Sequence, residues 1–365
     1  MEKRSLKWIE LTRTFAMFFI VLCHSSDMVS FREDPWWAAA VSSAVRFAVP
    51  LFFIISGYLA GGGLPSGKGK AAFAGTLRHR IAPIIVNFLA WNIIYMFLVK
   101  IFFGAPLWSF NSLWSIATGY VHLYFIFVLM QLLLLHRLVS RFLKGSAGNA
   151  IITFAAILSI AFYVISDTLL WTRGADGYFF EWHWGKLFAA WSLFYFWGVW
   201  LGRRTTLIER MSRAVIPLAA ATAVFFVPYA VETHVQLQSY GYSPRGYFLA
   251  GGLAFQFLCA NLVLASAYRL IALKRTNRLT DAMVGSGADT YGIYLCHYAF
   301  VMAMGYLQTY LPIPLPPVLA IPLIAVIAWT ASQGLVRVLG LPRFGAVNRV
   351  LFRMQRKGLR GENSP

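Results

Sequence analysis

The sequence predicts an all-α membrane protein: a polytopic helical bundle of about ten transmembrane helices with both termini cytoplasmic. Three observations carry this. Of 365 residues, 59% are hydrophobic and 12% charged, where a soluble domain has about 25% charged residues. The apolar residues come in runs of about twenty, the length a helix needs to cross the bilayer core, whereas a membrane β-barrel would alternate over segments of about ten. Finally, the charges fall almost entirely on alternate loops.

The expected spans are residues 8–29, 37–60, 81–103, 119–139, 147–171, 186–202, 214–231, 247–271, 286–310 and 318–339. The N-terminus carries Lys3, Arg4 and Lys7, and the loop after the second span carries Lys68, Lys70, Arg78 and Arg80. The next loops on that side hold Arg137, Arg141 and Lys144, then Arg203, Arg204, Arg210 and Arg213, then Arg269, Lys274, Arg275 and Arg278. The tail adds Arg343, Arg349, Arg353, Arg356, Lys357 and Arg360. The opposite loops hold only Arg32, Arg173, Lys186 and Arg245. By the positive-inside rule the basic side is cytoplasmic. This placement accounts for the formal charge of +19 as topology signal and headgroup contact, and argues against a nucleic-acid partner. Residues 1–342 are expected to form one transmembrane domain, and 343–365 a basic cytoplasmic tail.

The three cysteines, Cys23, Cys259 and Cys296, lie in apolar stretches without disulfide or zinc spacing. No cleavable leader is expected, because the apolar run after residues 1–8 is too long and lacks a small-residue cleavage site. The outer loops 103–118, 172–184 and 232–246 are rich in Trp, Tyr and Gly. That composition fits an interfacial aromatic belt and equally a sugar-binding surface. The Pro-rich 311–317 reads as a stiff turn, and no internal repeat is present.

The first span, ELTRTFAMFFIVLCH, carries Glu10, Arg13 and His24. Ionisable groups at membrane depth are costly and point to function. Arg13 and His24 are eleven residues apart, so they share a helix face with about 16 Å between them. Histidine suits a general base, Arg13 suits a phosphate or carboxylate, and Glu10 one turn earlier can orient Arg13. The plainer reading makes Glu10 and Arg13 interfacial and His24 a satisfied interior histidine.

Arg46 stands about ten residues into the second span, with Pro50 four residues on; it is a site or a snorkelling side chain. Ser56-Gly57-Tyr58 allows close helix approach with a hydroxyl on each side. Arg78 and Arg80, at the mouth of the third span, form an anion cradle or ordinary topology charge. The nearby GKGK lacks the Ser/Thr and the strand of a P-loop. His122-Leu123-Tyr124-Phe125 and the segment from Tyr291 to Tyr298, which contains Tyr294 and His297, set histidines among aromatics. No i,i+4 histidine pair or carboxylate cluster accompanies them, so no metal is expected.

At these residues the chain resembles the membrane-bound acyltransferase-3 family over most of its length. Glu10, Arg13 and His24 resemble that family's acidic residue, Arg and His on the first span. Val49-Pro50-Leu51-Phe52-Phe53-Ile54-Ile55-Ser56-Gly57-Tyr58-Leu59, with Arg46 ahead of it, resembles its second-span signature. His122-Leu123-Tyr124-Phe125 resembles its His-Leu-Trp-Phe, with Tyr124 in place of Trp, and Gly292-Ile293-Tyr294-Leu295 with His297 resembles its Gly-Ile-Tyr-x-x-His. Glu10 stands for the commoner Asp, and Arg78 and Arg80 are one residue closer than the family's Arg-x-x-Arg.

The resemblance implies transfer of an acyl group, most often acetyl, from cytoplasmic acetyl-CoA or another acyl-CoA to a glycan hydroxyl. The short members resemble exopolysaccharide and surface-glycan O-acetyltransferases of the bacterial inner membrane. On that footing His24 is the expected base or acyl carrier, with Arg13 and Glu10 beside it. Arg78, Arg80 and Arg13 hold CoA phosphates, while Arg46, Ser56, Tyr58, His122, Tyr294 and His297 meet the acceptor or the carbonyl. Expected partners are acyl-CoA, a glycan or lipid-linked glycan, membrane lipids, and polysaccharide synthesis machinery or a second copy of the chain. The rival expectation is a polysaccharide or small-solute exporter with Arg13 and His24 lining a proton or substrate path.

Overall fold

A computed structural model describes residues 2–29, 35–62, 77–104, 106–107, 110–143, 145–174, 180, 183–240, 248–308, 310 and 315–352, excluding the side chains of 2–6, 35, 77–83, 111, 145–146 and 240. Among the described residues there is no strand. The long helices are α1 (Glu2–Met28), α2 (Pro35–Val45) with α3 (Ala48–Ala60), α4 (Leu77–Phe103), α6 (Tyr124–Val139), α7 (Gly145–Arg173) and α8 (Phe188–Arg203), then α10 (Val215–Tyr240), α11 (Ala250–Ala272), α13 (Thr290–Gln308) and α14 (Pro317–Leu339). Shorter helices α5 (Phe110–Thr118), α9 (Thr205–Arg213), α12 (Arg278–Ser286) and α15 (Gly345–Leu351) lie between or beyond them.

Each expected span overlaps one of these helices, or the α2–α3 pair in the case of the second, and among the described residues seven are long and apolar enough to cross a membrane. The three outside that set are α1, α8 and α13. Polar residues interrupt α1, α8 has 16 residues, and tyrosines with His297 lower the hydropathy of α13.

The second span is broken where the sequence placed Pro50. Proline has no N–H to give the carbonyl of Arg46 and its ring crowds that carbonyl, so the ladder stops. Residues 46 and 47 form a turn, and Arg46 sits at the break with 1% exposure. Helix α10, which carries the seventh expected span, runs on to Tyr240 through Pro228, beyond the expected end at 231.

Helix α1 is the axis of the bundle, packed by α2, α3, α11, α12, α13 and α14. Helix α8 fills the space between α3 and α7 and buries Trp191, Phe194, Tyr195 and Phe196. The outer helices keep large apolar side chains exposed, among them Ile101, Phe154, Ile216 and Val224. In water such a surface would aggregate; in a bilayer it is the lipid-facing side. Residues past 342 also pack: Asn87 donates to the carbonyl of Val350 at 2.6 Å and Trp91 to that of Leu351 at 2.9 Å, fixing α15 against α4.

The joint between α12 and α13 sets the height of α1. A Cβ on Gly287 would lie 2.2 Å from Glu10 Oε2 and 3.1 Å from its Cα, so only glycine lets this joint touch Glu10. Thr14 donates to the carbonyl of Met283 at 2.7 Å beside it. At the end of the joint, Asp289 accepts from Arg337 Nε at 3.0 Å and ties the joint to α14.

Candidate active site

Three histidines from three separate motifs meet inside the bundle. The His24 ring centroid lies 5.7 Å from that of His122 and 5.4 Å from that of His297, and the latter two are 4.7 Å apart. His122 and His297 are 3% and 0% exposed, and the His24 side chain 14%. Tyr298 sets its ring 5.0 Å from His24, and Tyr95 sets its ring 5.1 Å from His122.

Each histidine arrives by a different route. His24 rides on α1, eleven residues above Arg13. His297 comes from α13, which lies alongside α1. His122 follows a tight turn: α5 ends at Thr118, Gly119 takes φ +102, and Val121 takes φ 42. A Cβ on Gly119 would fall 2.3 Å from the backbone nitrogen of Tyr124, so this position requires glycine. A β-branched residue at positive φ costs about 1–3 kcal/mol and persists only where its surroundings over-determine it. Those surroundings are visible. The N–H of Tyr120 donates to Asn92 Oδ1 at 2.6 Å, and buried Lys186 donates to Thr118 Oγ1 at 3.1 Å and to the carbonyl of Gly119 at 3.3 Å.

The backbone of Tyr294 braces the cluster. Its carbonyl lies 2.9 Å from His122 Nε2 and 2.9 Å from His297 Nδ1. Its hydroxyl donates back to the carbonyl of His122 at 2.5 Å. A carbonyl only accepts, so both ring nitrogens carry the proton, and His122 Nδ1 and His297 Nε2 are left as bare acceptors. Both are buried without a hydrogen-bond partner among the described residues, as is His24 Nδ1. Buried polar atoms are normally paired, and these three belong to one cluster of rings that Tyr95, Tyr294 and Tyr298 flank. Tyr294→Phe leaves the His122 carbonyl a buried acceptor without that donor. The expected cost is about 1–3 kcal/mol, measurable as a lower midpoint of thermal unfolding in detergent.

Asp27 was not among the expected site residues. Its Oδ2 lies 3.5 Å from His24 Nδ1, within ion-pair range but not in hydrogen-bond geometry. The signal was in the sequence, since Asp27 falls three residues after His24 and so on the same face. Asn92 and Tyr95 on α4 were also missed; Tyr95 donates to the carbonyl of Leu295 at 2.9 Å.

The remaining expected residues are spread out. Glu10 and Arg13 pair at 3.2 Å one turn apart, with 26% and 30% of their side chains exposed, near the start of α1. Arg46 donates to Ser42 Oγ through Nε at 3.2 Å and Nη2 at 2.7 Å at the α2–α3 break. Tyr58 stacks edge-on against Trp8, ring centroids 5.2 Å apart, and so lies toward the Arg13 end of α1. Ser56 directly precedes Gly57, which makes the glycine contact between α3 and α8, and is half-buried. The side chains of Arg78 and Arg80 lie outside the described residues; their backbone belongs to the first turn of α4. Among the described residues no group of His, Cys, Asp or Glu has metal-holding geometry.

The motifs that converge here fall inside one family match. The model of the acyltransferase domain family, acyltransferase-3, matches residues 6–337. This chain is a member of the acyltransferase-3 family. Neither the curated proteins nor the solved structures contain a match to it. Membership makes the protein a membrane acyltransferase, and the histidine cluster is the candidate place for its chemistry.

Proposed function

We propose that this acyltransferase is an O-acetyltransferase, taking acetyl from cytoplasmic acetyl-CoA and delivering it to a hydroxyl of an exopolysaccharide or other surface glycan, in a bacterial inner membrane crossed ten times with both termini inside. The observation that carries the reading is the histidine cluster: buried His122 and His297 with partly buried His24, each with a buried ring nitrogen that lacks a hydrogen-bond partner among the described residues, about 16 Å along α1 from Arg13. The phosphopantetheine arm of CoA is of similar reach. Arg13, partly exposed and held by Glu10, suits the donor's phosphates together with Arg78 and Arg80.

Bound acyl-CoA supplies an activated thioester carbonyl. Asp27 faces His24 Nδ1 and favours the tautomer with the proton on that nitrogen, which leaves Nε2 as the base. His24 takes the proton of the acceptor hydroxyl at Nε2 as the oxygen bonds to the thioester carbon. The carbon–sulfur bond breaks, and His24 returns the proton to the leaving thiolate. His122 Nδ1 and His297 Nε2, both bare acceptors, hold neighbouring hydroxyls of the acceptor sugar.

Two measurements test this. Mass spectrometry of surface glycan from a deletion strain is expected to lose O-acetyl groups that plasmid-borne wild type restores; unchanged glycan would remove the acceptor assignment. Asp27→Asn keeps the shape and discards the charge that orients His24. It is expected to lower kcat at least about tenfold with little change in KM for acetyl-CoA. An exporter that used the same polar stripe would translocate its solute without acyl-CoA, so acetyl transfer by purified protein separates the two.

A further inference from the structure

A cavity of about 270 Å³ lies between the start of α7 and the end of α8. It is lined by Gly148, Asn149 and Ile152 from α7 and by Trp200, Arg203 and Arg204 from α8 and just past it. It is far from the histidines. The end of α8 touches Tyr58, since a Cβ on Gly202 would fall 2.2 Å from the Tyr58 carbonyl, and Tyr58 stacks on Trp8. From Trp8 to His24 is about 24 Å along α1. Helix α3 also stands between α8 and α1.

The cavity is basic, and its cations lack counter-charges. Arg203 Nη1 donates to the carbonyl of Leu143. Arg204 lies with its guanidinium carbon 4.4 Å over the Trp200 ring and reaches Asn149 Oδ1 only at 3.5 Å. Trp200 Nε1 shares that oxygen at 3.3 Å. Neither arginine meets a carboxylate among the described residues. Two guanidinium groups keep most of their donors unspent in an open pocket, a constellation that recognises phosphate.

The surroundings select an amphiphile over a soluble anion. Trp197 stacks on Trp200 with centroids 5.0 Å apart, an interfacial aromatic pair. Ile152 and Val199 give the pocket an apolar wall, and Leu138, Phe142 and Phe154 stand exposed at the same end of α6 and α7. A phosphate at the arginines would let acyl chains lie on those side chains. We propose that this cavity binds the phosphate of an anionic membrane lipid, seated between Arg203 and Arg204 with the Trp200 ring beneath.

Native mass spectrometry of the detergent-purified chain tests the site, with phosphatidylglycerol, phosphatidylcholine, inorganic phosphate and 3′,5′-adenosine diphosphate as probes. Wild type is expected to retain phosphatidylglycerol over phosphatidylcholine. Arg204→Gln removes one charge-assisted contact and is expected to weaken retention about tenfold. Ile152→Trp fills the cavity without touching charge and is expected to do the same. Arg210→Gln, an exposed cation on α9, is expected to leave retention unchanged. Equal retention in wild type, Arg204→Gln and Ile152→Trp overturns the site. Displacement of phosphatidylglycerol by 3′,5′-adenosine diphosphate or phosphate at equal concentration overturns the lipid as the source and leaves a soluble phosphate ligand in its place.

Discussion

Transfer of acetyl from acetyl-CoA is expected to fall by about 10²–10⁴-fold in His24→Ala, the loss typical for a removed general base. The three histidines differ in what else they do, which makes this substitution the informative one. His122 and His297 both hold the Tyr294 carbonyl, so their loss strips a brace as well as a ring nitrogen. His24 bonds to neither element of that brace; its polar neighbour is Asp27, one turn away on the same helix. His24→Ala should therefore keep the unfolding midpoint close to that of wild type while transfer collapses. It also leaves a vacated space beside Asp27, and added imidazole is expected to restore part of the rate. A folded His24→Ala protein acetylating at the wild-type rate would sink the base assignment. A variant that loses rate and fold together would make His24 structural.

Much of this site was legible because membrane insertion makes polar residues expensive, so each one in an apolar run is informative. Glu10, Arg13, His24, Arg46, His122 and His297 all stand out for that reason, and the Glu10–Arg13 pairing follows from helical spacing alone. Spacing could not tell that His24, His122 and His297 converge. They come from segments separated by up to 273 positions in the chain, and their meeting depends on how α1, the turn between α5 and α6, and α13 pack. Asp27 was readable by the same i,i+3 rule but lies where α1 nears its end, and it passes easily for a loop acid. The short helices α5, α9, α12 and α15 were hidden for another reason. They are too short to bury a full apolar face, and α9 carries its polar residues, Glu209, Arg210 and Arg213, on an exposed side. Hydropathy over twenty-residue windows averages such segments into the loops around them. Tyr58 marks the limit of motif reading: its neighbour Gly57 makes the contact that fixes the helix pair, and Tyr58 lies at the Arg13 end rather than with the histidines.

That helix pair carries the largest expected effect on folding. Helices α3 and α8 cross through two matched glycine pairs, Gly57 with Gly61 and Gly198 with Gly202, each pair four residues apart. A Cβ on Gly57 would lie 2.0 Å from the Tyr195 carbonyl oxygen, one on Gly61 2.3 Å from that of Val199, and one on Gly198 2.1 Å from that of Ile54. Every obstructing atom is backbone, already committed to a helix ladder, so no side chain can swing away. In a bilayer this matters more than in water, because lipid tails are as apolar as the core and helices associate through close packing instead. Gly57→Ala adds a single methyl group and must push the helices apart by more than 1 Å to regain ordinary contact, roughly the 3.4–4 Å range. The expected cost is about 3 kcal/mol or more, at the upper end for overpacking. Gly334→Ala is the matched control: it lies inside α14 with nothing within 4 Å of the added Cβ. There the alanine is expected to be neutral or to stabilise by about 0.5–1 kcal/mol, because glycine is the poorer helix former. Thermal unfolding of the two variants in one detergent should move in opposite directions or leave only Gly57→Ala shifted. Equal midpoints for both would mean that α3 and α8 do not rest on glycine contact. The histidine cluster would then need another explanation for its position, since α3 also packs on α1.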